Sequence, residues 1–247
     1  MFTTWDIVLI VVVSIQSTVL AYLPDPKWKA FMLSMPFPFT LAALAVAKPI
    51  DSSNVCGLIL ILVFFALVRW LHVILRVPIV LTIAISVAAY GVMALSLKPV
   101  LRNDDVWFWG MAALTVATAI GVLKLMPPRD EPRYRTSLPV WIKLPLIVVL
   151  IVGLVLLKKN LGGFMTVFPM VSVIGAYESR HSLWTMTRQM PIFMLSMTPM
   201  MIICYLTQTA HGLPVALALA WLVYAVMLAV LRPSRGSKED LTPAPTV

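Results

Sequence analysis

Phe31-Met32-Leu33-Ser34-Met35-Pro36 and Phe164-Met165-Thr166-Val167-Phe168-Pro169 share a Phe-Met opening and a proline five positions on, at an offset of 133 residues. Working outward from them, Tyr90, Val92, Met93 and Leu97 recur as Tyr224, Val226, Met227 and Leu231 at an offset of 134. Matches of Val or Leu carry little weight in an apolar chain. Tyr occurs only 6 times, so its alignment within the same register carries much more. Self-similarity held over that length is the mark of an internal repeat, and we read the chain as a tandem duplication.

The setting of the repeat follows from composition. With 61% hydrophobic and 12% charged residues and a mean hydropathy of +0.96, the chain is more apolar than a soluble domain and holds runs of bilayer-spanning length. The polar stretches are confined to 126–138 and 232–247. We therefore expect an all-α, polytopic integral membrane protein. Apolar runs at 7–23, 31–47, 55–75, 78–97, 106–125, 144–157, 163–177, 190–207 and 213–231 predict about nine transmembrane helices. Lys48-Pro49, Lys98-Pro99, Pro127-Pro128 and His211-Gly212 punctuate them, and Arg76-Val77-Pro78 is so short a link that its two helices must be adjacent and antiparallel.

Alternating the loops puts Lys27, Lys29, Arg76, Lys124, Arg129, Arg133, Arg135, Lys143, Arg180, Arg188, Arg232, Arg235 and Lys238 on one side. Only Lys48, Lys98, Arg102, Lys158 and Lys159 fall on the other. By the positive-inside rule the first side is cytoplasmic, with the N-terminus outside and the C-terminus inside. The first six residues carry an acid rather than a base, so no cleaved signal peptide is expected despite Val19-Leu20-Ala21. The net charge of +9 resides in cytoplasmic loops, where membrane lipid head groups are the ordinary partner, and needs no nucleic acid.

Repeat and topology together give an architecture. Residues 1–100 form one four-helix unit and 139–232 the other; 101–138 supply a linker helix, bearing Trp107 and Trp109, and a cytoplasmic loop, and 233–247 a disordered tail. Corresponding helices are then five crossings apart, an odd number, so the units enter the membrane in opposite senses. Inverted repeats of this kind bind solute at their interface, between interrupted helices near the midplane. Pro36 and Pro169 interrupt matching helices, each removing an N–H and freeing a carbonyl one turn earlier. Ser34, Pro36, Thr40, Tyr90, Thr166, Pro169, Ser172 and Tyr224 are the predicted solute-binding set. The competing reading is that such prolines and hydroxyls are packing devices satisfied locally.

Arg69, Glu178, Arg180 and His181 are the ionisable candidates for gating or an ion pair. Against that, Arg69 is close enough to the interface to snorkel, and Glu178 with Arg180 reads as a solvated helix end. No Asp or Glu is expected deep within a span, which favours a neutral, amphiphilic or anionic solute over a pump built on a buried carboxylate. No nucleophile elbow, zinc helix or phosphate loop occurs, and His72, His181 and His211 lack metal-ligand spacing, so neither an enzyme, a cofactor nor a metal is expected. Cys56 and Cys204 are solitary. Met190, Met194, Met197, Met200 and Met201 could mark a soft-metal path, but without a Cys or His cluster they read as packing residues.

The stretch from Asn160 through Gly163, Phe168 and Pro169 to Tyr177, with Gly212-Leu213-Pro214 beyond, resembles the small four-helix bacterial membrane proteins of the GlpM-like family. The first unit departs from that pattern, with Met35 in place of Phe168 and Ala45 in place of Glu178. The resemblance implies a bacterial inner-membrane protein, linked in name to glycerol metabolism and exopolysaccharide production. Two functions stand as expectations: a small secondary transporter or channel for a small-molecule solute, and a non-transporting inner-membrane partner or assembly subunit related to the cell envelope, working as a homodimer or on a partner protein.

Overall fold

The computed structural model describes residues 3–134, 139–156 and 161–231, and among them the chain is all-helical, without strands. The expected disordered tail lies outside the described residues.

Helix starts follow local chemistry. α1 (Thr4–Tyr22) opens on a capping box in which the Thr3 hydroxyl accepts from the Asp6 N–H and the Asp6 carboxylate accepts from the Thr3 N–H. Asp25 caps α2 (Pro26–Leu33), with Pro26 in the first turn where no N–H is needed. α3 (Phe37–Val46) follows the break at Pro36 and closes on Ala47 in the left-handed region. Asp51 and Asn54 form the capping box of α4 (Ser52–Arg69). That helix unwinds into a π-turn over Trp70–Ile74, and Arg76, at φ 55°, reverses the chain into α5 (Ile79–Leu97). α4 and α5 pack along each other, as the short link requires. α6 (Asp105–Leu125) is capped by Asp104, and α7 (Val140–Val155) starts at Pro139. A 3-10 segment, Gly162–Val167, then leads through Pro169 to α8 (Met170–Glu178).

α9 (Leu183–Leu231) runs through both of the last two expected spans and contains one non-helical residue, Gly212, at φ 76° and ψ 160°. That backbone suits glycine alone. The arms on either side, 183–211 and 213–231, fold back on each other, because Gln189 and Tyr224 both reach Ser34.

Among the described residues six helices are long and apolar enough to cross a membrane, Pro26–Val46 counted as one and α9 as another; Val140–Val155 is shorter and apolar. The protein is thus a helical membrane-spanning chain, and the nine expected runs are not nine separate long helices. Its outward surface carries large apolar side chains such as Val80, Leu146, Val149, Leu222 and Val226, as a lipid-facing surface must. The interior gathers α1, α3, α4, the 3-10 segment and α8 around a core that includes Phe39, Phe64, Phe65, Tyr90, Phe164 and Tyr224.

Candidate functional site

The two proline breaks meet at the centre of this core. In the first, an α-helical bond to the Ser34 carbonyl would have to come from residue 38, which is a proline and has no N–H. The Tyr224 hydroxyl donates to that carbonyl instead. In the second, the Phe168 N–H turns to Met165 O at 3.2 Å, leaving the Phe164 carbonyl to accept from the Tyr90 hydroxyl at 2.9 Å. Both tyrosines are almost wholly buried. The tyrosine of each half of the sequence therefore closes the break in the other half.

Between the breaks lies a cavity of about 30 Å³, lined by Met35, Pro36 and Pro38 from one side and Thr166, Phe168 and Ser172 from the other, with Ile61, Met190 and Phe193 completing it. A water needs roughly 10–15 Å³ of such space, so the cavity has room for no more than about two waters and for no larger solute. Of the predicted set, Pro36, Thr166 and Ser172 line it. Ser34, Tyr90 and Tyr224 do not line it and belong to the two clamps. Thr40 accepts from Trp221 Nε1 at 2.9 Å and donates to Pro36 O at 3.0 Å, and Pro169 stands at the N-terminal end of α8.

A larger chamber opens at one end of the molecule. About 400 Å³ is enclosed by the α3–α4 turn, the α5–α6 turn, the start of the 3-10 segment and one face of α9, with Lys48, Asp51, Lys98, Asp104, Phe108 and Tyr205 among its walls. Its floor is a polar plug. Asn54 Nδ2 donates to Thr166 Oγ1 at 2.8 Å and to Gly163 O at 3.1 Å, and Thr166 Oγ1 donates to Gly163 O at 2.8 Å. Gly163 faces the large chamber and Thr166 the small one, so this plug separates them. Gly163 fits tightly there: a Cβ would sit 2.1 Å from Ser53 Oγ and 3.1 Å from both Asn54 Oδ1 and Asp51 Oδ1, so any side chain requires Ser53 to shift.

The opposite end corrects the reading of the charged residues. Glu178 is not a solvated helix end: it is 1% exposed, and its Oε1 lies 2.6 Å from Nζ of Lys143, itself nearly buried within α7. A buried carboxylate is thus present where none was expected, and its partner is Lys143 rather than Arg180. Lys29, assigned to a loop by its charge, is also buried and donates to Glu178 O at 2.7 Å and Tyr134 O at 2.9 Å. Arg180 donates to the Tyr134 hydroxyl at 2.6 Å, and the His181 ring lies 5.1 Å from that of Tyr134. Arg69 sits apart from this group, 4.4 Å over the Trp184 ring that Arg129 also covers at 3.6 Å.

Sequence reasoning missed Lys143, Lys29, Asn54, Gln189 and Tyr134. A lysine four residues into an apolar helix was a signal for Lys143; the others depend on tertiary contacts between distant segments. Among the described residues no group of His, Cys, Asp or Glu is arranged to hold a metal ion. No family model, no curated protein and no solved structure matches the chain.

Proposed function

We propose that the chain is a small secondary transporter or channel of a bacterial inner membrane, built from two inverted four-helix units around α6 and held in a closed state. In this reading the α9 hairpin supplies two crossings, α2 with α3 and the 3-10 segment with α8 supply one each, the end bearing Lys29 and Arg180 is cytoplasmic, and the 400 Å³ chamber faces outward. The solute is small and neutral, amphiphilic or anionic. The observation that carries the proposal is the reciprocal clamp, Tyr224 on the first break and Tyr90 on the second. Each clamp ties the two halves together beside the small cavity lined by Pro36 and Pro38 of one break and Thr166 and Phe168 of the other, and in this reading a moving helix exchanges the clamp hydrogen bonds for a solute. The Gly163, Phe168, Pro169 and Tyr177 pattern supports placing the second half beside the GlpM-like proteins.

The test is flux in proteoliposomes, with glycerol as the neutral probe and octanoate as the anionic one. Flux that is saturable in wild type and lost in Pro36→Ala and Pro169→Ala supports the reading. Absence of saturable flux for both probes overturns it. Reporters fused to each end should appear on opposite faces of the membrane, and finding them on one face removes the inverted layout.

A further inference from the structure

A proline-rich segment crosses the end of the molecule opposite the large chamber. Residues 127–134, Pro-Pro-Arg-Asp-Glu-Pro-Arg-Tyr, leave α6 without forming a helix. Pro127, Pro128 and Pro132 fix φ and carry no N–H that needs a partner, so the segment is stiff and loses little freedom when it is pinned down. In an extended form, at about 3.1 Å per residue, such a length reaches roughly 25 Å, enough to cross several helices.

Its two ends are fastened to different halves of the sequence. On one side the Glu131 carboxylate accepts from the Trp184 N–H at 3.2 Å and the Thr185 N–H at 2.7 Å, at the start of α9. Trp184 Nε1 donates to Pro127 O at 2.8 Å, Arg188 Nε donates to Met126 O at 2.9 Å, and the Arg129 guanidinium covers the Trp184 ring. On the other side the Tyr134 N–H donates to Pro24 O at 3.2 Å, and the Tyr134 carbonyl accepts from buried Lys29 of α2, whose Nζ also donates to Glu178 O at the end of α8. Arg180 closes that side on the Tyr134 hydroxyl. The segment therefore bridges α2, α8 and α9.

Those three helices meet again further in. Leu33, Ser172 and Met190 all line the small cavity between the proline breaks, and at the helical rise they lie only about 6–9 Å along their helices from Lys29, Glu178 and Trp184. Parting the three at this end uncovers the cavity from the charged side.

We propose that residues 126–134 are the gate of the charged end: a strap that fastens α2, α8 and α9 as one unit, through Glu131 on α9 and Tyr134 on Lys29 and Arg180, and that releases before the small cavity opens in that direction. Its role as a gate rests on the transport reading. The fastening of the three helices does not.

The experiment is hydrogen exchange of the full chain in phosphatidylcholine nanodiscs, which needs no solute. Glu131→Ala should speed exchange along 184–188 at least about tenfold, as for losing hydrogen bonds to a charged group. It should also speed exchange along 29–34 and 174–179, where Glu131 makes no hydrogen bond. Tyr134→Ala should do the converse and loosen 184–188 as well as its own contacts. Exchange along 55–65, within α4, should stay as in wild type in both variants. Arg133→Ala is the control, since the Arg133 side chain is 77% exposed and its 3.8 Å ion pair with Asp25 holds little. An increase confined to each variant's own contacts makes the two fastenings local caps and overturns the strap. No increase, an equal increase along 55–65, or an equal effect of Arg133→Ala overturns it too. In proteoliposomes Glu131→Ala should raise the initial rate of the glycerol or octanoate flux that wild type shows, and an unchanged rate overturns the gate. Coupled loosening with no saturable flux in wild type keeps the strap and removes the transport reading.

Discussion

The two proline breaks share a Phe-Met opening and a borrowed tyrosine, yet their surroundings differ. The first is flanked by α-helix on both sides, and its polar contacts go to α9, where Gln189 donates to Ser34 Oγ at 2.7 Å and Trp221 donates to Thr40. The second begins as a 3-10 turn under Asn54, with no room for a side chain at Gly163, and its helix ends on the buried Glu178–Lys143 pair. The two share the backbone interruption and its tyrosine clamp, while the Asn54 plug and the Glu178–Lys143 pair belong to the second. That asymmetry makes the second break the one wired to both ends of the molecule, to the large chamber through Gly163 and to the charged end through Glu178.

The largest expected effect tests the charged anchor. Lys143→Met leaves the Glu178 carboxylate buried without its counter-charge and should cost about 3–5 kcal/mol, whereas K143M/E178M, which removes both charges, should return close to wild type. Equilibrium unfolding in detergent measures both. A single variant as stable as wild type would mean the pair holds nothing in place.

Next in size is the other anchor. Gly163→Ala forces a Cβ against Ser53 Oγ, a hydroxyl already bonded to Asp51, and should cost about 1–3 kcal/mol by overpacking. Ser53→Ala should recover part of that loss in the double variant. Gly91→Ala, where a Cβ meets nothing within 4 Å, is the control and should not destabilise. Equal effects at Gly163 and Gly91 would erase the distinction between the breaks.

These contacts mark where the sequence stopped being readable. The membrane class, the breaks at Pro36 and Pro169, the α4–α5 link and the matched tyrosines were legible because each rests on local chemistry: apolar run length, a missing N–H, a short turn, a repeated rare residue. The tyrosines' partners were not, since hydrogen bonding across 74 and 190 residues depends on how helices pack. Glu178 was misjudged for the same reason. Beside Ser179, Arg180 and His181 it looks like part of a polar helix end, and only the approach of α7 from a distant segment buries it. The two chambers left no local trace either, being spaces between four or more segments.

The smallest expected effects bear on what the two breaks have in common. Tyr90→Phe and Tyr224→Phe each remove the side-chain hydrogen bond to a buried carbonyl while keeping the ring, which should cost about 1–2 kcal/mol apiece. If the clamps are equivalent, the two losses agree within experimental error and add in the double variant, because the hydroxyls serve different carbonyls and share no hydrogen-bond partner. The neighbourhoods allow a sharper statement. Ser34 retains Gln189 on its hydroxyl after Tyr224 is changed, whereas Phe164 has no side-chain donor other than Tyr90 among the described residues. Tyr90→Phe should therefore loosen its break more, read as faster hydrogen exchange along 163–168 than Tyr224→Phe produces along 33–38. The reverse order would make the first break the movable one and shift the weight of the asymmetry to the α9 hairpin.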